Sequence, residues 1–122
     1  MKNQPFARRL SYAVGGIRVA FRTEASFRTQ LLLAVMAAVA LALLRLPLVW
    51  VALCIVSGAA VLAAELLNTA LEHLADCLHP EKHPTIQTAK DCAAAAVLVT
   101  SVTAVLIGIL TLAVSLHLFD KA

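Results

Sequence analysis

The stretch ELLNTALEHLAD, Glu65 to Asp76, closes an apolar run that begins at Leu46. It holds three of the seven acidic residues of a chain that is 61% hydrophobic. Glu65, Asn68, Glu72 and Asp76 stand at i, i+3, i+7 and i+11. At about 3.6 residues per turn, all four fall on one narrow stripe of a helix. A negative stripe at the end of an uncharged run marks the place where an apolar surrounding gives way to water. The nature of that surrounding then follows from the rest of the chain.

The 122 residues amount to a single domain, 1–122. A soluble domain of that size needs a polar exterior, which 14% charged residues and a mean hydropathy of +0.90 do not supply. Uncharged apolar runs occupy Leu31 to Leu44, Leu46 to Ala64 and Cys92 to Leu116. A helix crossing the hydrocarbon core needs roughly 20 such residues, and the second and third runs qualify unaided. The first is short, and on length alone it also fits a buried or re-entrant segment. Thr29 and Gln30 extend it without charge, however, and the stems of Arg28 and Arg45 can snorkel at its two ends. The sequence therefore predicts an all-α membrane protein with transmembrane helices at about 28–45, 48–77 and 86–118.

Ahead of the first span, Phe6, Leu10, Ala13, Val14, Ile17 and Phe21 recur at helical spacing, with Arg8, Arg18 and Arg22 on the opposite side. This pattern predicts an amphipathic helix at about 6–23 that lies on the membrane surface; docking on another subunit by the same stripe is the alternative. The segment does not resemble a secretory signal, because the apolar run starts late and no small-residue cleavage pattern precedes Arg45-Leu46-Pro47. The N-terminus is thus expected to be retained. Lys2, Arg8, Arg9, Arg18, Arg22 and Arg28 precede the first span, and Lys82 and Lys90 follow the second, whereas only Arg45 and Lys121 lie on the other side. The positive-inside rule then puts the N-terminus and the acidic stripe in the cytoplasm and the C-terminus outside. A net charge of +3 distributed in this way suits anionic lipid headgroups and not nucleic acid.

Arg45-Leu46-Pro47 is expected to turn tightly on the outer side, with Pro47 entering the next helix. Leu78-His79-Pro80 ends that helix, since a proline disfavours helix in the residue before it. The loop HPEKHPTIQ follows, and Thr85 or Thr88 is the expected cap of the last helix. Ala93 to Ala96 offers a small-residue surface where helices can approach closely. The three cysteines form no even framework, so disulfides are not expected. Cys77, His79, His83 and Cys92 include zinc-ligand types but lack paired C-x-x-C or H-x-x-x-H elements.

Counting roughly 20 residues from Leu48 places Glu65 where hydrocarbon meets headgroups, with Glu72 and Asp76 beyond it. Glu24, at the junction of the surface helix and the first span, and Lys90-Asp91, at the opening of the third, reach the same level. Taken singly, each is a solvated helix end. Carboxylates converging from separate segments instead make a plausible hard-cation site of the Mg²⁺ kind. Two functions compete: a cation or proton conduit, or an enzyme acting on a lipid whose head lies at that level. Beyond Glu65 the second span offers only Ser57, and the third offers Thr100, Ser101, Thr103, Thr111 and Ser115, so no charged relay continues across.

Glu65-x-x-Asn68-Thr69-Ala70-Leu71-Glu72-x-x-x-Asp76, followed by Ala89-Lys90-Asp91 and Ala95-Ala96-Val97, resembles the signature of the prokaryotic diacylglycerol kinase family. The upstream segment YAVGGIRVAFRTEASFRTQL, Tyr12 to Leu31, is similar to that family's surface helix and the glutamate after it. The resemblance covers nearly the whole chain, and no Walker loop or kinase glycine-rich loop points to another ATP fold. It implies a small integral-membrane homotrimer that moves the γ-phosphoryl group of Mg·ATP to a lipid hydroxyl, with active sites composed between subunits. By motif match it also implies that Glu65 accepts the hydroxyl's proton, that Asn68 orients the reacting groups, and that Glu24 and Glu72 ligate Mg²⁺. The same match makes Lys90 a phosphate-binding charge and Asp76 a further motif residue. Tyr12, Glu81, His83 and Asp91 correspond to nucleotide contacts, together with Glu24 and Glu72. For His83, a solvated loop histidine is an equal alternative.

The chain departs from well-studied members in having Val14 for a tryptophan, Gln30 for a glutamate and Ala94 for a serine. None of these removes a carboxylate or Lys90. They bear on the lipid, since the changed positions border the acyl-chain and headgroup region. Diacylglycerol is the first expectation and undecaprenol the second, while an oligomeric cation-conducting protein is the alternative from another class.

Overall fold

The computed structural model describes residues 2–120, so Lys121, counted above among the outer charges, lies outside the described residues. Four helices follow in order: α1 (Phe6–Thr23), α2 (Ala25–Leu44), α3 (Leu48–Leu78) and α4 (Pro84–Asp120), with no strand among the described residues. Helices α2, α3 and α4 are each long and apolar enough to cross a membrane. A helix satisfies its own backbone, which hydrocarbon cannot do. The large side chains Leu32, Val35, Met36, Val39 and Leu43 of α2 accordingly stand exposed, as do Leu98, Val102, Val105 and Ile109 of α4. The most extensive helix contact joins α3 to α4, α2 packs on α3, and α1 rests on both α2 and α3.

Helix α2 has 20 residues and α3 has 31. At 1.5 Å per residue these make about 30 Å and about 46 Å. The hydrocarbon core is roughly 30 Å thick, so α2 spans it with nothing to spare and about a third of the length of α3 lies beyond it. That overrun carries the acidic stripe. The first span starts earlier than its apolar run because helical geometry resumes directly after Glu24, bringing Ser26, Arg28 and Thr29 into the first turns of α2.

The elbow between α1 and α2 is one residue wide. Glu24 leaves helical geometry at φ −113°, ψ 108°, while its N–H still donates to the Ala20 carbonyl at 2.9 Å. Arg28 then reaches back, its guanidinium donating to the carbonyls of Phe21 at 2.8 Å and Arg22 at 3.2 Å. These are carbonyls that the end of α1 leaves without helical partners, and a cation suits that end of the helix dipole. Phe27, only 2% exposed, and Ala20, only 1% exposed, plug the elbow from the inside. Arg28 is therefore a latch between helices, a role that its expected snorkelling at the span end does not reveal.

The turn after α2 is closed by Arg45 in left-handed geometry, φ 51° and ψ 50°, with Leu46 buried behind it and Pro47 standing before α3. Near that end, Cys54 Sγ of α3 and Thr111 Oγ1 of α4 are 3.4 Å apart. The expected cap of the last helix is corrected by the structure. Helix α4 begins at Pro84, and the ring of His83, not a threonine hydroxyl, accepts the Thr85 N–H at 3.2 Å. Thr88 instead donates back to the Pro84 carbonyl at 2.9 Å. Proline suits this position because the first helical N–H has no partner in any case.

Replacing Arg28 with alanine should free the end of α1 without loosening α3. Amide hydrogen exchange at Val19 to Thr23 is expected to accelerate about fivefold, equivalent to about 1 kcal/mol for charge-assisted bonds on an exposed side chain. Unchanged exchange there would show that the latch holds nothing.

Candidate active site

Helix α3 presents the acidic stripe in graded burial. Glu65 is 4% exposed, Asn68 and Glu72 are half-buried, and Asp76 is exposed. The Glu65 carboxylate has one hydrogen bond among the described residues, accepted at Oε2 from Ser26 Oγ of α2 at 3.2 Å. An ionised carboxylate offers about four acceptor positions, so most of its capacity is left for something else. One turn further on, Asn68 Oδ1 is buried and has no hydrogen-bond partner among the described residues. A buried acceptor without a donor is uncommon and costs about 1–3 kcal/mol, so this oxygen calls for a partner.

The Ser26 contact brings the α1–α2 elbow beside Glu65, and with it Glu24, two residues away. Glu24 and Glu72 are both half-buried, and neither carboxylate has a hydrogen bond or ion pair among the described residues. No three His, Cys, Asp or Glu side chains gather into a metal cage among those residues. Mg²⁺ does not require such a cage: it is usually held by one or two carboxylates plus substrate phosphates while keeping several waters. Two unengaged carboxylates and an orphaned amide oxygen thus fit a hard cation that arrives with a polyphosphate.

The second part of the stripe is tied to α4. Lys90 Nζ donates to Asp76 Oδ1 and forms with it an ion pair across the α3–α4 contact. The lysine side chain is 28% exposed and the aspartate side chain 65%. An ammonium has three donors, so the pair points Lys90 toward the stripe and leaves donors for a phosphate. Asp91, exposed, accepts from Gln87 Nε2 at 2.9 Å one turn earlier in the same helix.

The remaining predicted site residues are not bonded to the inner part of the stripe. No hydrogen bond or ion pair joins Tyr12, Glu81, His83 or Asp91 to Glu65, Asn68 or Glu72 among the described residues. Tyr12 is exposed on α1. In the loop, His79 Nδ1 donates to the Glu81 carbonyl at 2.9 Å, lies 3.6 Å from the Glu81 carboxylate and packs its ring edge-on against His83 at 5.5 Å. Cys77 and Cys92 are exposed and free, and neither joins these histidines.

A groove of about 460 Å³ opens between α1 and α3, lined by Ala13, Gly16, Ile17, Ala20, Leu66 and His73 among others. His73 donates from Nδ1 to the Thr69 carbonyl at 2.8 Å, which leaves Nε2 as a polar atom on a mostly apolar wall. Ser26, Arg28 and His73 were not legible as site residues. Ser26 and Arg28 sit in the EASFR segment, where the only signal is polar residues in the first turn of a span, and periodicity cannot name their partners on other elements.

The match to known proteins agrees with this geometry. The family model described as prokaryotic diacylglycerol kinase matches residues 11–112. The chain belongs to the prokaryotic diacylglycerol kinase family. Within it, a Synechocystis sp. protein named diacylglycerol kinase is 39% identical over 98 residues, covering 80% of this chain and 56% of that relative. A Bacillus subtilis protein named undecaprenol kinase is 34% identical over 106 residues, covering 86% of this chain and 85% of that relative. The chain thus spans little more than half the length of the first relative and most of the second. For this diacylglycerol kinase family member, all the residues of the acidic stripe, the elbow and Lys90 fall inside the matched segment.

Removing the His83 ring tests the cap. His83→Ala should lower the stability of the first turn of α4 by about 1 kcal/mol, read as faster exchange of the Thr85 and Ile86 amides, and His83→Asn should restore it, since both residues supply a side-chain acceptor. Equal protection in all three proteins would remove the capping role.

Proposed function

We propose that this chain is an ATP-dependent kinase of a membrane lipid, transferring the γ-phosphoryl group of Mg·ATP to the hydroxyl of diacylglycerol to give phosphatidic acid. It works as a homotrimer in a bacterial cytoplasmic membrane, with α1 on the inner surface, the active site cytoplasmic and the C-terminus outside. The observation that carries this reading is the Glu65 carboxylate, 4% exposed and bonded to one hydroxyl among the described residues, on a stretch of α3 that helix length puts near the end of hydrocarbon. A lipid hydroxyl reaches that level without leaving the membrane.

In the reaction, Glu65 accepts the proton of the lipid hydroxyl as the lipid oxygen forms a bond to the γ-phosphorus. The bridging P–O bond to the β-phosphate breaks, and ADP leaves. Phosphoryl transfer asks a protein mainly for positioning and charge neutralisation, and the stripe is arranged for both. Asn68, with its orphaned Oδ1, accepts from or orients the reacting groups. Lys90, held by Asp76, supplies a point charge to the phosphates. Glu24 and Glu72 would hold Mg²⁺, which when bound would supply positive charge against the negative charge of the phosphates. Tyr12, Glu81, His83 and Asp91 contact the nucleotide.

Two lipids remain in competition, because the relatives carry one name each. Gln30, which replaces a frequent glutamate, lines a groove of about 570 Å³ between α2, α3 and α4 with Ala34, Gly58, Ser101 and Gly108. That position supports a role in lipid choice and keeps undecaprenol as the second substrate. The spans lend little to a conduit. Ser57, Thr100, Thr103 and Thr111 each donate to a carbonyl of their own helix, so few hydroxyls remain to relay an ion.

Purified protein in detergent micelles, given Mg·ATP and each lipid in turn, should phosphorylate diacylglycerol faster than undecaprenol. Glu65→Gln should lower kcat by about 10²- to 10⁴-fold, the range for a general base. Glu72→Gln should raise the Mg²⁺ concentration needed for half-maximal rate. Turnover that survives in Glu65→Gln, or product from neither lipid, would overturn the reading, and ion flux without ATP consumption would replace it with a conduit.

A further inference from the structure

We propose that Ser26 is a positioning residue that fixes the Glu65 carboxylate for proton acceptance; the inference rests on the reading of Glu65 as the proton acceptor. Among the described residues, the Ser26 hydroxyl is the one protein donor to this buried carboxylate, at 3.2 Å. A glutamate has three rotatable side-chain bonds, and no other polar contact among the described residues holds this one.

The donor exists because of where α1 breaks. Hydroxyls on the helices of this chain ordinarily fold back on their own backbone: Thr23 donates to Val19, Thr29 to Ala25, Thr88 to Pro84 and Thr103 to Val99. Ser26 lacks that option. The carbonyls three and four residues before it belong to Thr23 and Arg22, on the far side of the break at Glu24, and the Arg22 carbonyl is taken by Arg28. The hydroxyl is thereby released to cross to α3. It is presented by a fixed support, since Phe27 next to it is 2% exposed and Arg28 latches the elbow.

Holding Oε2 leaves Oε1 to receive the proton of the lipid hydroxyl, while Ser26 keeps its own proton and no bond to it changes. The same elbow carries Glu24 two residues earlier, so one corner positions both the serine that holds the proton acceptor and a metal-ligand candidate.

The test compares wild type, Ser26→Ala and Ser26→Thr in micelles with Mg·ATP and diacylglycerol, alongside the ¹³Cδ resonances of the four glutamates, with Glu65 assigned from Glu65→Gln. Ser26→Ala is expected to lower kcat about tenfold, with KM for ATP within about twofold and an unchanged thermal midpoint. The Glu65 resonance should shift, and Ser26→Thr should restore both rate and resonance. A Ser26→Ala protein with wild-type kcat and an unmoved Glu65 resonance would overturn the proposal. So would a rate loss that comes with a lower midpoint and is not rescued by threonine. If the wild type phosphorylates no lipid, the proposed function fails by itself, and the Glu65 resonance still decides whether Ser26 holds the carboxylate.

Discussion

Burying the Glu65 carboxylate at the end of a membrane span is the constraint around which this protein is arranged. A buried carboxylate needs partners for about four acceptor positions, and one serine hydroxyl fills only one of them. Such a carboxylate persists where something else completes its surroundings, and intramembrane ionisable groups accordingly mark functional sites. The elbow follows from this need. Breaking α1 at Glu24, latching the break with Arg28 and plugging it with Phe27 lets a hydroxyl from one helix meet a carboxylate on another. The length of α3 follows as well, because a helix that only spanned the hydrocarbon would end before Glu72 and Asp76.

Two layers of order are visible on the cytoplasmic side of the proposed topology. The stripe and the elbow form an inner layer of buried or half-buried groups, each with one side-chain partner or none among the described residues: Glu65, Asn68, Glu72 and Glu24. The outer layer is the loop and the start of α4, where partners are made locally: His79 with Glu81, His83 with the Thr85 amide, and Gln87 with Asp91. Lys90 and Asp76 join the two layers across the α3–α4 contact. In the proposed reaction the lipid head would meet the inner layer and the nucleotide both, which accords with unengaged acceptors inside and mostly satisfied groups outside.

Much of this was legible in the sequence for physical reasons. Hydrocarbon permits few structures, so long uncharged runs read directly as helices, and helical periodicity placed Glu65, Asn68, Glu72 and Asp76 on one stripe. Features that depend on a partner elsewhere in the chain were not legible. Arg28 looked like a snorkelling residue because its acceptors, the last carbonyls of α1, become free only once the helix breaks at Glu24. Thr85 and Thr88 looked like caps because their type is right, but the break fell one residue before Pro84 and the ring of His83 took the role. Ser26 was legible only as a polar residue in the first turn of a span, since its partner is 39 positions away. The left-handed Arg45 was equally hidden, because a glycine is the usual sign of that geometry.

The central claim is that carboxylates from the elbow and from α3 surround one divalent ion at the shallow edge of the membrane. Paramagnetic relaxation by Mn²⁺, bound with a non-hydrolysable ATP analogue in place of Mg²⁺, measures this directly on ¹³Cδ-labelled glutamates. The account predicts that Glu24 and Glu72 broaden most and Glu65 less, all in the same titration. Bound Mn²⁺ and nucleotide that leave Glu24 and Glu72 sharp would contradict it.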